Sequence, residues 1–311
     1  MSDKFKGNTA LLLTAVVWGT GFIAQKLGNE AMPPMSFNAI RQLMAALVLT
    51  PIMLAGLKKS AYLSGTKNSE DVLAFRKRKL TKAFFLCGAF MALGTMSQQI
   101  GLLTVSAGKS GFISGMYIVF TPIFSVVIGN RVSKKTFACV AIAMAGFALL
   151  SLRGGLGNTT PGDWWTLLSA VGFGAQITAV NAFVDRDNDL IISVLQMLFA
   201  GLVGIVFALI LEYPTMAQIQ AGMPAILYST FVPTAIGYTL QIVGQKFTDS
   251  TTAALLMSLE AVFAAIFGAI FLKEFMSLME ILGSLVIFAA VIIDQVDMKA
   301  LKQARKGRRL E

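Results

Sequence analysis

The sequence predicts an all-α integral membrane protein with ten transmembrane helices, arranged as two five-helix repeats of opposite orientation. Three observations lead to this fold class. Hydrophobic residues make up 56% of the 311 positions and charged residues only 14%, whereas a soluble domain carries about 25% charged residues. The basic residues are concentrated in every second loop between the apolar stretches. The two halves of the chain also match each other at a set of polar and glycine positions.

Uncharged stretches long enough to cross a bilayer occur throughout the chain. Residues 83–108, 110–130, 164–184 and 190–211 contain no Asp, Glu, Lys or Arg, and a crossing helix needs about 20 mostly apolar residues. This pattern excludes a single anchor on a soluble body. The predicted spans are 9–27, 36–56, 83–103, 110–129, 136–152, 163–183, 190–211, 222–244, 252–272 and 277–296.

The distribution of lysine and arginine predicts the topology. With the N-terminus in the cytoplasm, 21 of the 26 basic residues fall in inner loops and tails, as the positive-inside rule requires. The other five lie at outer loops or span ends: Lys26, Arg41, Lys109, Arg153 and Lys273. Ten spans with both termini in the cytoplasm therefore fit the charge pattern, and we expect the basic loop at 57–82 to be solvated and partly flexible.

An internal repeat relates the two halves. Gln98 and Gly101 in the third span match Gln241 and Gly244 in the eighth, with the same separation in sequence for both pairs. Further matches are Arg41 with Gln196, Trp18–Gly21 with Val171–Gly174, and Thr121–Phe124 with Glu260–Phe263. Because five is an odd number of spans, the second half must enter the membrane from the opposite side. Many secondary transporters build alternating access on such inverted repeats.

Several motifs resemble a known family. They are Trp18-Gly19 with Phe22, the segment from Gly108–Phe112 to Thr121-Pro122, and Leu259–Phe263 leading to Lys273-Glu274. In this order they resemble the drug/metabolite transporter superfamily, specifically EamA-type proteins with two EamA domains. Ala261 stands where members often have proline, and the first half lacks about one helical turn before Arg131. The boundaries this implies are 1–153 and 154–298 for the two repeats and 299–311 for a basic cytoplasmic tail.

Polar stripes in the spans predict where a substrate would bind. Polar residues facing lipid are costly, so they turn toward the bundle interior or a wet cavity, and the resemblance implies a cavity lined by spans one, three, four, six, eight and nine. Interhelical hydrogen bonding is the alternative interpretation for any single one of these side chains. The predicted substrate-binding residues are Trp18, Gln25, Gln98, Ser114, Tyr117, Gln176, Tyr238 and Gln241.

Glu260 lies near the middle of the ninth span. A charged side chain at that depth costs ~2.5–3.5 kcal/mol on insertion scales, which protonation, a cationic partner or a wet cavity would avoid. We therefore predict that Glu260 couples transport to protons or binds a substrate ammonium group. The alternative interpretation is a protonated carboxyl hydrogen-bonded to a neighbouring helix.

Basic residues near the outer ends of spans suggest a second kind of substrate. Lys26 and Lys273 are expected to reach the membrane interface with their long side chains. Arg41 starts about five residues inside the second span and could face the bundle. Together with Lys109 it could attract an anionic substrate, as basic residues do in organophosphate-carrying relatives of the superfamily.

The composition also excludes several functions. The chain has no histidine, and Cys87 and Cys139 lack metal or disulfide spacing, so we expect no cofactor and no metal. No Walker motif is present for ATP hydrolysis. The net charge of +10 resides in loops and tails, which argues against nucleic-acid binding. An intramembrane enzyme lacks an evident catalytic group, whereas a lipid flippase or a channel remains an alternative.

The family resemblance implies export of amino acids or related organic compounds across the cytoplasmic membrane, without ATP and by alternating access. The expected partners are a small-molecule substrate and the lipid bilayer, and the poorly polar fifth and tenth spans are predicted to face lipid or a second copy in a homodimer.

Overall fold

The computed structural model describes residues 3–59, 70–151, 160–185, 187–273 and 278–295, and all regular secondary structure in these ranges is helical. The helices are α1 (Asp3–Ala31), α2 (Pro34–Lys59), α3 (Glu70–Gly101), α4 (Ala107–Gly115), α5 (Tyr117–Val127), α6 (Lys134–Ser151), α7 (Pro161–Phe183), α8 (Asp189–Leu211), α9 (Met216–Ser229), a π-helical segment (Thr230–Gly237), α10 (Tyr238–Gln245), α11 (Ser250–Met257), α12 (Glu260–Phe271) and α13 (Leu278–Gln295).

Every predicted span coincides with one helix or with a run of consecutive helices. Eight helical segments of the described chain are long and apolar enough to cross a membrane: Asp3–Ala31, Pro34–Leu57, Val72–Gly101, Ala107–Val127, Pro161–Phe183, Asp189–Leu211, Met216–Gln245 and Ser250–Phe271. The chain is therefore a multi-pass α-helical membrane protein. The remaining two predicted spans correspond to α6 and α13, which pack against each other at one side of the bundle.

The loop predicted at 57–82 is partly helical instead. The structure begins α3 at Glu70, so the residues from Glu70 to the start of the predicted third span already belong to its helix. No glycine or proline interrupts residues 70–87, and alanine, leucine, lysine and arginine in this stretch favour helix. The basic residues between 70 and 82 indicate that this stretch lies outside the membrane, but they are compatible with a helix. Residues 60–69, the boundary at 153/154 and the predicted tail at 299–311 lie outside the described residues.

Two spans that look continuous in sequence are broken near their midpoints. Between α4 and α5, the Met116 amide donates to the Ile113 carbonyl, three residues back. Between α11 and α12, the Leu259 amide donates to the Leu256 carbonyl in the same way. These are tight 3₁₀ turns, which change the rotation of the following helix. As a result Tyr117 opens α5 and Glu260 opens α12.

The eighth span carries a different irregularity. Its middle, Thr230–Gly237, is a π-helix with Pro233 inside it. Proline has no amide hydrogen to continue the helical ladder, and π-bulges are frequent at functional sites. The carbonyl of Pro233 accepts a hydrogen bond from the Trp18 indole nitrogen at 3.0 Å, so this irregular turn is fixed to α1.

Glycines set the closest approaches between helices. Gly172 on α7 lies directly against α3, and a Cβ at this position would lie 2.6 Å from the Gly94 nitrogen and 2.8 Å from its Cα. These atoms belong to backbone and cannot rotate away. Since interiors are close-packed, an added methyl group here must push two membrane helices apart.

We expect Gly172→Ala to lower the thermal stability of the detergent-solubilised protein, by roughly 1–3 kcal/mol. Gly56→Ala is the matched control, because a Cβ at Gly56 meets only one atom, Leu190 Cδ1 at 4.0 Å. The control should leave the unfolding temperature unchanged or raise it, as alanine favours helix over glycine. Equal unfolding temperatures for the two variants in a thermal-shift assay would contradict the close approach of α3 and α7.

Candidate functional site

A narrow cavity lies in the centre of the bundle, and in this structure it has room for about one water molecule. Its walls come from all six spans that the family resemblance implies and, in addition, from the second span. Ten side chains line it: Trp18, Phe22, Gln25, Arg41, Gln98, Tyr117, Phe173, Pro233, Tyr238 and Glu260. Seven of the predicted site residues are therefore brought together here.

Aromatic rings form one part of the cavity wall. The Trp18 and Tyr238 rings are 4.9 Å apart between centroids and tilted by 58°, which is a favourable aromatic geometry. The Trp18 ring rests against Gly237, where a Cβ would come within 2.6 Å of the indole nitrogen. The indole is thereby held between a glycine and the Pro233 carbonyl, so its face has a fixed direction toward the cavity.

Arg41 supplies a buried positive charge. Its side chain is 2% exposed, and its guanidinium donates to Asn38 Oδ1 at 2.9 Å and to Gln25 Oε1 at 3.3 Å. Asn38 is in turn bonded to Thr95. Among the described residues no carboxylate lies within salt-bridge distance of Arg41. The charge is held in place by neutral amides, which position it without neutralising it.

Glu260 supplies a carboxyl group in the same cavity. It is 4% exposed and is the first residue of α12, directly after the 3₁₀ turn. Within the described chain no lysine or arginine forms an ion pair with it. The neighbouring Tyr117 hydroxyl is buried and interacts with this carboxyl group. The two polar groups therefore face the cavity as a pair.

A chain of hydrogen bonds orients Gln98. Its Nε2 donates to Ser114 Oγ at 2.9 Å, and Ser114 lies 3.3 Å from Ser169 Oγ. Ser169 donates onward to the Thr166 carbonyl. Ser114, which the sequence predicted as a binding residue, is fully buried behind the wall. It positions Gln98 rather than lining the cavity.

Gln176 and Gln241 are also placed away from the cavity. They belong to a glutamine layer, which we define as Gln176, Gln196, Gln241 and Gln245. Gln176 Nε2 donates to Gln196 Oε1 at 2.8 Å, and Gln241 Nε2 donates to Gln176 Oε1 at 3.0 Å and to Gln245 Oε1 at 3.0 Å. Here the structure has the interhelical hydrogen bonding that was the alternative interpretation, because these amides bond to one another; Gln196 Nε2 alone has no partner among the described residues.

Lys109 does not join Arg41. It forms an ion pair with Asp163 at the start of α7, with 2.8 Å between Nζ and Oδ1, and 37% of its side chain is exposed. Lys26 donates to the backbone carbonyls of Leu102 and Val105, whereas Lys273 is exposed in a left-handed turn with φ 57°. Of the four outer cations considered, only Arg41 reaches the cavity.

A second, larger cavity opens sideways between α1, α9 and α12, with about 1020 Å³ of free space. Its wall includes Ile23 and Leu27 of α1, whereas the central cavity receives Trp18 and Gln25 from the same helix. At about 100° per residue these two sets lie on opposite sides of α1. The body of α1 therefore separates this lateral cavity from the central one.

Comparison with known proteins identifies the family. The model of the EamA-like transporter family matches residues 5–152 and again residues 160–293. The chain is a member of the EamA-like transporter family. Because the model matches twice, the chain contains two EamA regions, and the protein is accordingly a membrane transporter.

The relatives of this EamA-like protein are transporters by name. It is 29% identical over 294 residues to an uncharacterized transporter of Archaeoglobus fulgidus, covering 93% of this chain and 86% of that one. It is 27% identical over 243 residues to a probable terminal-alkyne amino-acid exporter of Streptantibioticus cattleyicolor, covering 74% and 73% of the two chains. A solved crystal structure with 16% sequence identity superposes with a TM-score of 0.69 over 98% of both chains, which shows a shared fold.

Some residues of the site were not predicted from the EamA-like sequence. Phe22 belongs to the motif that carried the resemblance, yet it was not assigned to the cavity. Phe173 lies on α7 and its ring packs on Gly94, as the Trp18 ring packs on Gly237. This packing pairs Trp18 with Phe173, two residues beyond Val171, the residue that the sequence motifs matched with Trp18. Asn38 precedes Arg41 by three residues, a spacing that puts both on one helix face. Within the described chain no group of three His, Cys, Asp or Glu side chains could hold a metal.

We expect Gln176→Leu to destabilise the protein because it leaves the buried Gln196 and Gln241 side chains without their shared partner. Unsatisfied buried amides cost about 1–3 kcal/mol each, so a thermal-shift assay in detergent should show a clear drop in unfolding temperature. Thr9→Val is the control, since Thr9 bonds only to the Phe5 carbonyl of its own helix at an exposed position. An unfolding temperature equal to that of the control would show that the glutamine layer contributes little.

Proposed function

We propose that this EamA-like protein is a secondary transporter that exports a small zwitterionic metabolite of the amino-acid class by alternating access. The observation that carries the proposal is the central cavity, which holds one guanidinium and one carboxyl group without an ion pair to either. Burying a charge without a partner is costly, and a ligand with both charges would supply both partners at once.

The chemistry of the wall fits such a ligand. The Arg41 guanidinium offers forked donors that suit a carboxylate. The Glu260 carboxylate suits an ammonium group. Between them, Trp18, Phe22 and Phe173 provide apolar and aromatic surface against which an uncharged side chain of the substrate would pack. The Streptantibioticus relative carries amino-acid export in its name, which supports the same substrate class.

The proposal includes an inverted-repeat architecture of ten spans, on which alternating access would rest. Equivalent features recur at one fixed separation in sequence: Ser106 and Asp249 each cap a helix by accepting from the third amide that follows. At the same distance beyond each cap, Tyr117 and Glu260 open the next helix after a 3₁₀ turn. The matched motifs pair Glu260 with Thr121, whereas this spacing pairs it with Tyr117.

Proton coupling is part of the proposal. Glu260 can hold either a proton or a substrate ammonium group, but the two compete for the same carboxylate oxygens. Proton binding on one side of the membrane would release the substrate, and proton release on the other would restore the binding site. The expected location is the cytoplasmic membrane, with both termini in the cytoplasm and an inward proton gradient driving export.

Transport of an anionic metabolite is the second candidate. It is favoured by Arg41, which is buried and has no carboxylate partner among the described residues. It is opposed by the position of Lys109, which is engaged with Asp163 away from the cavity, and by Glu260, which would repel a ligand carrying only negative charge. The two candidates differ in whether the ligand needs an ammonium group.

Glu260→Gln should abolish the dependence of binding on the substrate ammonium group and on pH. Binding can be followed by Trp18 emission in a Trp164→Phe, Trp165→Phe background. In the parent, affinity for an apolar α-amino acid should fall as the pH is lowered, because a protonated Glu260 no longer attracts the ammonium group. The variant should bind about 30-fold or more weakly, equally at each pH.

Proteoliposomes provide the functional measurement for the same variant. An imposed pH gradient should drive uptake of a labelled amino acid by the parent and not by Glu260→Gln. Gradient-driven transport by the variant at the rate of the parent would contradict the proton-coupling proposal. A linear, unsaturable flux without counterflow in the parent would indicate a channel instead of a carrier.

Arg41→Gln should remove recognition of the substrate carboxylate. The parent should prefer an amino acid over its amide, which lacks the negative charge, by about 30-fold or more, and the variant should bind the two alike. Lys109→Gln is the matched control: it also removes one positive charge, but at a position outside the cavity wall, so the preference should persist. Loss of the preference in both variants, or in neither, would contradict the assignment of Arg41.

A further inference from the structure

Two side chains make matching hydrogen bonds at distant points of the bundle. Lys26 on α1 donates from Nζ to the carbonyls of Leu102 at 2.9 Å and Val105 at 3.2 Å. Asn181 on α7 donates from Nδ2 to the carbonyls of Gln245 at 3.3 Å and Thr248 at 3.0 Å. In each case one side chain holds two backbone carbonyls, three residues apart, at a helix end.

The acceptors of these contacts are equivalent in the two repeats. Leu102 and Val105 in the first half are as far from Gln245 and Thr248 in the second as Gln98 is from Gln241. Ser106 and Asp249, the two capping residues, have this same separation.

The donors are equivalent as well. Lys26 is as far from Asn181 in sequence as Trp18 is from Phe173 and Arg41 from Gln196. Trp18 and Phe173 both line the central cavity. Among the described residues, the hydrogen bond between Ser125 and Ser250 falls on Gly268 and Ala107 at the equivalent positions, and neither of these has a polar side chain.

The two contacts lie at opposite ends of α1. Thr248, one acceptor residue of Asn181, also bonds through its hydroxyl to Asn8 near the start of α1, and Gly7 packs against Gly244 and Phe247. Lys26 lies about 27 Å from Asn8 along the helix axis. That separation is close to the roughly 30 Å thickness of the hydrocarbon core.

The central cavity lies between the two contacts. On the Asn181 side, Gln245 links the contact to the glutamine layer, since its side chain belongs to that layer and its carbonyl accepts from Asn181. On the Lys26 side, Gln99 bonds to Asn29 and to the Gln25 carbonyl, next to the Arg41 partner. Both contacts are closed in this structure. The Lys26 contact joins α1 to the residues that follow α3, and the Asn181 contact joins α7 to the end of α10.

We propose that Lys26 and Asn181 are the two closing latches of the transport cycle, each opening only when the cavity is reached from its own face of the membrane. This inference rests on the proposed alternating access. For a path to open at either face, α1 must part from the end of α3, or α7 from the end of α10. Opening at one face breaks the two bonds of that latch and leaves the other latch intact.

The latches differ in strength. Lys26 donates from a charged ammonium group, and charge-assisted hydrogen bonds are roughly twice as strong as neutral ones. Asn181 donates from a neutral amide. In the proposed topology the Asn181 latch lies at the cytoplasmic face, the side from which an exporter loads, and the Lys26 latch lies at the outer face.

Thiol labelling measures opening at each face separately. In a background with Cys87→Ala and Cys139→Ala, which removes both buried native thiols, single reporter cysteines replace Thr178 near the Asn181 latch and Ser110 near the Lys26 latch. Both positions are buried, so a maleimide reacts only after opening. The rates are measured on the full-length protein in detergent, where the reagent reaches both faces.

Asn181→Leu should raise the labelling rate of Thr178→Cys by roughly fivefold or more and leave Ser110→Cys unchanged or slower. Lys26→Met should do the reverse. Asn181→Asp is near-isosteric but cannot donate, so it should act like Asn181→Leu. Lys26→Arg keeps a charged donor and should label at the parent rate. Thr50→Val is the control, since Thr50 bonds only to the Ala46 carbonyl within α2, and it should change neither rate.

Unchanged rates in both latch variants, or acceleration of the same reporter by both, would overturn the latch proposal. Counterflow in proteoliposomes judges the proposed function independently. If the parent shows saturable counterflow while the latch variants label like the parent, transport stands and the latches fail. If face-selective labelling is found but no substrate of the amino-acid class is carried, the latches stand and the proposed function fails.

Discussion

The hydrocarbon core of the bilayer offers no hydrogen-bonding partner, and this is the constraint on which the structure depends. Each polar side chain among the spans must find a partner in the protein, because lipid offers none. Most of them do. Ser114 and Ser169 bond behind the cavity wall, the four glutamines are joined by hydrogen bonds, and Glu212 caps the start of α2 by accepting from the Ser36 amide and hydroxyl. What distinguishes Arg41 and Glu260 is that neither has an ion-pair partner among the described residues.

Whether a buried polar side chain has a partner distinguishes residues that pack helices together from residues that face the cavity more clearly than its polarity does. Gln98 and Gln241 occupy matching positions of the two EamA regions, yet Gln98 faces the cavity and Gln241 lies in a hydrogen-bonded layer. The two regions therefore place the same residue type in different surroundings. One EamA region thus contributes this glutamine to the cavity wall, whereas the other uses it for packing between helices.

Much of the architecture could be predicted from the sequence, because the membrane imposes strong rules. Span positions followed from apolar length, and the set of cavity-lining spans followed from the resemblance with only the second span missing. The 3₁₀ turns at Met116 and Leu259 could not be predicted, since no proline or charge marks them. Those turns rotate Tyr117 and Glu260 into the cavity. Gln176 and Gln241 were misplaced because helical spacing gives the face of a residue but not what that face meets.

The hydrogen bonds of Lys26 and Asn181 end on main-chain carbonyls, and this has a consequence for how such a protein can diverge. Every residue type has a carbonyl, so substitutions at positions 102, 105, 245 and 248 preserve the acceptors. Only the donor depends on the identity of a side chain, at one position for each end of the bundle. Single amino-acid replacements at position 26 or 181 would therefore remove or alter one of these contacts while leaving the cavity wall untouched.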